Sequence, residues 1–338
     1  MTVLPTPYRI ALTALGVILL GLLPLVVHNN YWLSILVFVA IYTILAVGLN
    51  LLMGYAGQIS LGHAAFFGIG AYSSAILTTQ WHWSPWLALV CGLLLTALVA
   101  LLIGIPCLRL RGHYLAMATL GFGWIVFIVM KQWSAVTQGT SGIESIPKLA
   151  IGTLVFDSDI RHYYLVWGIA ILVLVISANL VNSRIGRALR AVHGSEMAAA
   201  ALGVDIARSK IQVFVLSAVY AALAGSLYAH VVNFINPTTF GFHISVSLVV
   251  MVVIGGMASI WGAPLGAASI TLLIEWLRNL PFKDIDVIAH GLILILVMIF
   301  MPGGVVCGLQ DIIQRVLRRK IRRATAPARL PAPEGGMQ

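Results

Sequence analysis

"GLNLLMGYAGQISLGHAAFFGIGAY", residues 48–72, sets two apolar helical runs on either side of a polar, glycine-rich interval. The interval holds Asn50, Tyr55, Gln58, Ser60 and His63 and carries no formal charge. Within a bilayer, non-helical backbone is tolerated only where protein buries it or where it lines a wet cavity. The stretch therefore reads as two membrane helices joined through a break that the bundle itself encloses.

Composition agrees. Of 338 residues, 60% are hydrophobic and 9% are charged, with a mean hydropathy of +1.01. Soluble domains carry about 25% charged residues, so the expected fold class is an all-α polytopic membrane protein. Apolar runs of about 17–25 residues mark crossing helices. Ten are expected, near 10–27, 33–53, 61–79, 85–106, 114–130, 162–181, 211–230, 243–258, 264–280 and 287–301. Gly255, Gly256, Gly262 and Pro264 interrupt the eighth and ninth, so each is either a short helix or half of a broken one. The breaks at 54–63 and 255–264 are both candidates for re-entrant segments. The first run follows Arg9 in the manner of a signal peptide, but no A-x-A site follows His28, and it is read as a retained anchor.

Lys plus Arg number 20 against 10 Asp plus Glu. Basic residues concentrate in loops that stay inside. With both termini inside, fifteen of them (among them Arg9, Arg109, Arg111, Arg184, Arg187, Arg190, Arg208 and Lys210) face the cytoplasm, and five face the other side. The basic balance is thus a topology signal, N-in and C-in, and not the footprint of a nucleic-acid binder. Residues 1–308 read as the membrane domain, with a periplasmic loop at 131–161 and a cytoplasmic loop at 182–210. In 309–338, Ile312, Ile313, Val316, Leu317 and Ile321 form an apolar stripe among arginines, which suits an interfacial helix. Ala-Pro-Gly composition then reads as disorder.

Several function classes are excluded. There is no G-x-x-x-x-G-K-[ST] loop, so the chain does not hydrolyse ATP by itself. GxSxG and HExxH are also missing, and Cys91, Cys107 and Cys307 have no metal or disulfide spacing. A coupled carrier needs titratable groups in its helices, yet the one clear acid in the spans is Glu275, three residues before Arg278 and read as its ion-pair partner. Small residues are abundant instead. Ala64, Gly68, Ala71 and Ala75 make a stripe, and Gly262 with Gly266 a GxxxG, both suited to close helix packing.

The most informative loop is "NSRIGRALRAVHGSEMAAAALGVDIARSKIQVFVLSAVYAALAG", residues 182–225. Ser195 is placed to cap a helix with Glu196 in its first turn. Met197 to Leu202 form a short, nearly uncharged helical segment, stopped by Gly203. An apolar helix in an aqueous loop either lies flat on the membrane or docks into a partner; docking is the reading adopted.

Here the chain resembles a known family. Glu196, Ala198, Ala199 and Gly203 resemble the E-A-A coupling motif of ABC importer permeases. With the 48–72 stretch, "RLRGHYLAMATLGFG" (109–123), "TQGTSGI" (137–143) and "VIGGMASIWGAPLGA" (253–267), the chain up to its tail resembles the LivM/LivH class of branched-chain amino-acid permeases. The R-I-G-R-A-L-R-A stretch and the long 131–161 loop favour the LivM side. The resemblance implies the larger, type II-like importer architecture in a bacterial inner membrane. It also implies a second, LivH-like permease subunit, two ATP-binding subunits carrying ATP and Mg, and a periplasmic solute-binding protein. No cofactor is expected on this chain. Ser195, Glu196, Met197, Ala198, Ala199, Leu202 and Gly203 would form the element received by the ATPases.

On this reading Asn50, Tyr55, Gln58, Ser60 and His63 line a path wet enough to pass a zwitterion and too weak to trap it. The plainer alternative is that these side chains satisfy one another and the broken backbone. His63 is expected to be a neutral histidine bonded to a backbone carbonyl. Leucine, isoleucine and valine are the default solutes, with urea, short amides or aromatic acids as alternatives. A stand-alone secondary carrier is the less favoured class.

Overall fold

A computed structural model of the chain describes residues 20–24, 29–110, 112–151 and 154–278. The first expected span is described only at 20–24, which is helical. The tenth span, Cys307 and the 309–338 tail lie outside the described residues.

The long apolar runs fold as α-helices. α1 (Asn30–Asn50) continues into a π-helical turn, Leu51–Tyr55. It is followed by α2 (His63–Thr79), α3 (Pro85–Cys107), α4 (His113–Gln132) and α5 (Asp159–Asn182). Two short helices come next, α6 (Arg184–Gly194) and α7 (Glu196–Ala201). Then come α8 (Ile206–Val232), α9 (Phe242–Gly255) and α10 (Gly262–Arg278). Five stretches are long and apolar enough to cross a bilayer: Asn30–Tyr55, Pro85–Cys107, His113–Gln132, Asp159–Asn182 and Ile206–Val232. α9 and α10 are shorter apolar helices. At about 1.5 Å per residue, the 14 residues of α9 fall short of a full crossing. The eighth span is therefore a short helix that ends at the second glycine break.

Local chemistry sets the helix ends. Asn29, Ser158, Ser183, Ser195 and Asp205 each accept a backbone N–H with their side chain at a helix start. The Asp205 cap, 2.9 Å from the Arg208 N–H, starts α8 at Ile206 and not at the expected 211. Lys210 is thereby placed on a regular helix instead of in a loop.

α1 is apolar all round, and such a helix belongs at the centre of a bundle. It is walled by α5, α8, α9 and α10, and almost every residue from Val39 to Tyr55 is buried. α2 packs between α8 and α3. Of the small-residue stripe, Ala64, Ala71 and Ala75 are buried, and Gly68 faces Met130 and Phe240. Gly262 and Gly266 meet the backbone of α9, so α9 and α10 close as a tight hairpin. Outer faces of α3 and α4, with Leu94, Leu102, Met117 and Ile125 exposed, suit lipid or a partner helix. Cys91 and Cys107 are partly buried and free.

Because α1 to α5 alternate in direction, the chain segments sort to two ends. At one end lie exposed Tyr31, Trp32, Trp81, Trp83, Trp133, Tyr164 and Trp276, an aromatic belt of the kind found at a membrane interface. The 131–161 loop caps this end and includes a two-residue ribbon pairing Ala150–Ile151 with Leu154–Val155. Ile143 exchanges backbone bonds with Ile235, Asn233 donates to the Ile146 carbonyl at 2.8 Å, and His230 Nδ1 to that of Pro147 at 2.7 Å. The loop is thus stitched down as a lid. Here too the Tyr31 hydroxyl donates to Glu275. The expected Arg278 partner has a side chain outside the described residues. α6 and α7 sit at the opposite end, beyond the last turn of α5.

Candidate functional site

Both polar breaks fall at the end of the bundle that carries α6 and α7. The first begins where α1 widens into the π turn, and from Gly57, at φ +67°, to Ser60 the backbone is non-helical. Burial alternates along it: Gln58 and Ser60 are buried, whereas Gly57 and Ile59 are exposed. Thr119 Oγ1 accepts the Leu61 N–H at 3.1 Å, and Ser245 Oγ accepts that of Ala64 at 3.0 Å. α4 and α9 therefore hold the start of α2 from two sides. Replacing Thr119 by Val keeps shape and removes one acceptor, at a cost of about 1 kcal/mol. A small drop in the thermal midpoint of the purified protein is expected; an unchanged midpoint would mean water replaces the hydroxyl.

The second break, 256–261, is held by the first. Asn50 is fully buried, donates from Nδ2 to the Ser259 carbonyl at 2.8 Å, and accepts the Ala258 N–H on Oδ1 at 2.9 Å. Gly54 lies against that same Asn50 oxygen and the Ala258 backbone, where any Cβ would overlap both. The two breaks form one joint. Asn50, expected along a path, is occupied as the strut between them, and Tyr55 is buried in the π turn.

Gln58, Ser60 and His63 are arranged differently. All three are buried, and Gln58 Nε2 and Oε1, Ser60 Oγ and His63 Nε2 have no hydrogen-bond partner among the described residues. Mutual satisfaction of these side chains is therefore not what the structure has. The expected carbonyl partner is likewise missing at His63 Nε2; the nearby Gly48 carbonyl accepts instead from Ser217 Oγ at 2.7 Å. Buried polar atoms without partners are rare in folded proteins.

Next to this cluster stands the short helix. Ser195 Oγ accepts the Ala198 N–H at 3.3 Å, and Gly203 closes the segment with φ +80°. Ala199 is buried, whereas Met197 and Leu202 are 83% and 81% exposed, outside the bundle. Glu196 Oε1 lies 2.6 Å from the Nζ of buried Lys210, so α8 fixes the base of the helix. A polar cavity of about 230 Å³ separates α7 from the first break, bordered by Gln58, Leu115, His193, Ser195, Glu196 and Lys210. Among the described residues no cluster of His, Cys, Asp or Glu is arranged to hold a metal ion.

Residues 31–302 match the family described as "Branched-chain amino acid transport system / permease component". The chain belongs to this permease family. It is 33% identical over 287 residues to the "High-affinity branched-chain amino acid transport system permease protein LivM" of Salmonella typhimurium, covering 78% of this chain and 67% of that one. LivM of Escherichia coli K12 matches to the same extent. The LivH permease of Salmonella typhimurium is 26% identical over 285 residues, covering 78% of this chain and 90% of LivH. No solved structure matches the permease. It is a multi-pass membrane protein and a transport subunit. His193, Lys210, Thr119 and Ser245 make contacts around the breaks and α7 that sequence reading did not single out; the HGSE turn marked the place of His193 but not its contact.

Proposed function

We propose that this permease is one membrane-spanning half of an ATP-driven importer in the bacterial inner membrane. It passes leucine, isoleucine or valine delivered by a periplasmic binding protein. A second, LivH-like permease completes the path, and two ATPase subunits each receive a short helix in a surface groove. Both termini lie in the cytoplasm, and the aromatic, lidded end faces the periplasm. The observation that carries this reading is α7: capped, anchored through Glu196 to Lys210, and presenting Met197 and Leu202 uncovered by the described residues. Exposed apolar side chains on a cytoplasmic element call for a protein partner. The family's own description as a transport-system component supports it.

In this reading Gln58, Ser60 and His63 line the path beside Tyr55, and Asn50 keeps the path's two broken walls in register. A solute held tightly outside by its binding protein needs only weak, replaceable polar partners inside. Gln58→Leu removes two buried, unpartnered polar atoms, so the protein should be no less stable. Uptake should fall about tenfold, equivalent to 1.4 kcal/mol on the barrier. Equal uptake by the variant would remove Gln58 from the path.

The reading is tested by purification from membranes in mild detergent, followed by ATPase assay with and without binding protein and leucine. Co-purification of an ATP-binding subunit and a second permease, with hydrolysis stimulated by loaded binding protein, is the expected result. A chain that comes down alone and drives uptake from a proton or sodium gradient would overturn it. Urea, short amides and aromatic acids in the same assay decide the solute.

A further inference from the structure

Among the described residues, one side-chain hydrogen bond runs from the α6–α7 elbow to the first break. His193, in the last turn of α6 and two residues before the Ser195 cap, places Nδ1 3.0 Å from the Gly54 carbonyl, 139 residues away in sequence. A carbonyl only accepts, so Nδ1 carries the proton and donates. The acceptor lies in the π turn Leu51–Tyr55, where i→i+5 spacing disturbs the usual backbone pairing. The ring has a seat built for it. Gly57 adopts φ +67°, and a Cβ there would come 2.9 Å from His193 Cδ2 and 3.2 Å from Cγ. A side chain at 57 would therefore strain the backbone and push the imidazole off its acceptor.

On the far side of Gly54 stand Asn50 and Ala258, so one residue links the α6–α7 elbow to both breaks at once. The cavity of about 230 Å³ leaves room beside this link, between His193 and the inward-facing Gln58. Packed interiors resist gradual deformation and move between discrete arrangements. An elbow anchored to α8 through Glu196 and Lys210, and tied to the π turn through His193 beside this cavity, is a place where such a movement passes from α7 to the backbone carrying Gln58 and Ser60.

We propose that His193 is a positioning residue that transmits displacement of α7 to the π turn, and so sets whether the polar path is open. The inference rests on the importer reading, because the displacement comes from ATPase subunits. The hydrogen bond and the Gly57 seat form one mechanical contact, and losing either breaks it.

The test uses the complete transporter in proteoliposomes with its binding protein, and reads leucine imported per ATP hydrolysed. Three variants are compared with wild type: His193→Ala, His193→Asn and Gly57→Ala. His193→Ala should lower the ratio about tenfold, within the usual range of a coupling free energy. His193→Asn, whose amide N–H takes the place of Nδ1–H, should recover most of it. Gly57→Ala, which leaves His193 intact and removes its seat, should lower the ratio as His193→Ala does. If His193→Ala does not assemble, Gly57→Ala decides alone: a normal ratio overturns the proposal and a lowered one supports it. Assembled His193→Ala with a wild-type ratio overturns it, as does His193→Asn no better than His193→Ala. Wild-type uptake without any ATP dependence would instead overturn the importer reading and this inference with it.

Discussion

Glu196→Ala should cost the permease more stability than removing Lys210. The Lys210 ammonium sits on α8 with 8% of its side chain exposed, 2.6 Å from the Glu196 carboxylate, which retains 27%. Removing the acid leaves a nearly buried cation whose remaining neighbour is the polar cavity, a change that costs at most the roughly 3–5 kcal/mol of a buried pair broken from one side. The same substitution strips the negative charge from the first turn of α7, where it complements the helix dipole. Lys210→Met leaves Glu196 about a quarter exposed and should cost less. In the double variant, Glu196→Ala with Lys210→Met, no buried charge remains, and replacement of both partners is often neutral. Thermal midpoints of the four purified proteins check this: Glu196→Ala lowest, Lys210→Met intermediate, the double variant near wild type. A double variant as unstable as Glu196→Ala would show that the cost lies in α7 itself and not in the stranded ammonium.

What the sequence discloses about this molecule follows from the solvent it lives in. Lipid admits only self-satisfied backbone, so uninterrupted apolar runs have one outcome, and the spans from 33–53 to 264–280 are met by helices within a few residues. α7 was legible for a local reason: Ser195, Glu196 and Gly203 are start and stop signals inside one short stretch. The joint between the breaks was not legible. Asn50 and Ser259 are 209 residues apart, and His193 and Gly54 are 139, and nothing in either local sequence names the other. The π turn has no periodic signature in five residues. Lys210 looked like one more inside-facing charge until the Asp205 cap set it on α8 facing Glu196. Polar residues near a glycine break announce a joint; which of them is strut and which is left unpaired depends on contacts across the fold.

Asn50 is where that distinction has its largest expected consequence. Ala258 holds a positive φ of +60°, a conformation that non-glycine residues adopt at a cost of about 1–3 kcal/mol and keep only when their surroundings enforce it. The Asn50 amide is what enforces it, taking the Ala258 N–H on one side and giving a proton to the Ser259 carbonyl on the other. Asn50→Leu leaves both backbone groups without that partner, about 1–3 kcal/mol for each. It also removes the restraint on Ala258. Destabilisation of several kcal/mol is expected, read as a lower thermal midpoint and less protein recovered in the membrane. Asn50→Asp should fare little better, because a carboxylate accepts from Ala258 but faces the Ser259 carbonyl oxygen with no hydrogen to offer. Ala258→Gly separates strain from lost bonding. In the wild type it relieves a strain that Asn50 already holds in check; with Asn50→Leu it relieves one that nothing restrains. Its effect should therefore be larger in the Asn50→Leu background, a non-additivity of about 1 kcal/mol between neighbouring sites. Equal effects in the two backgrounds, or an Asn50→Leu protein as stable as wild type, would mean that the second break keeps its shape unaided and that the two walls of the path are not joined at Asn50.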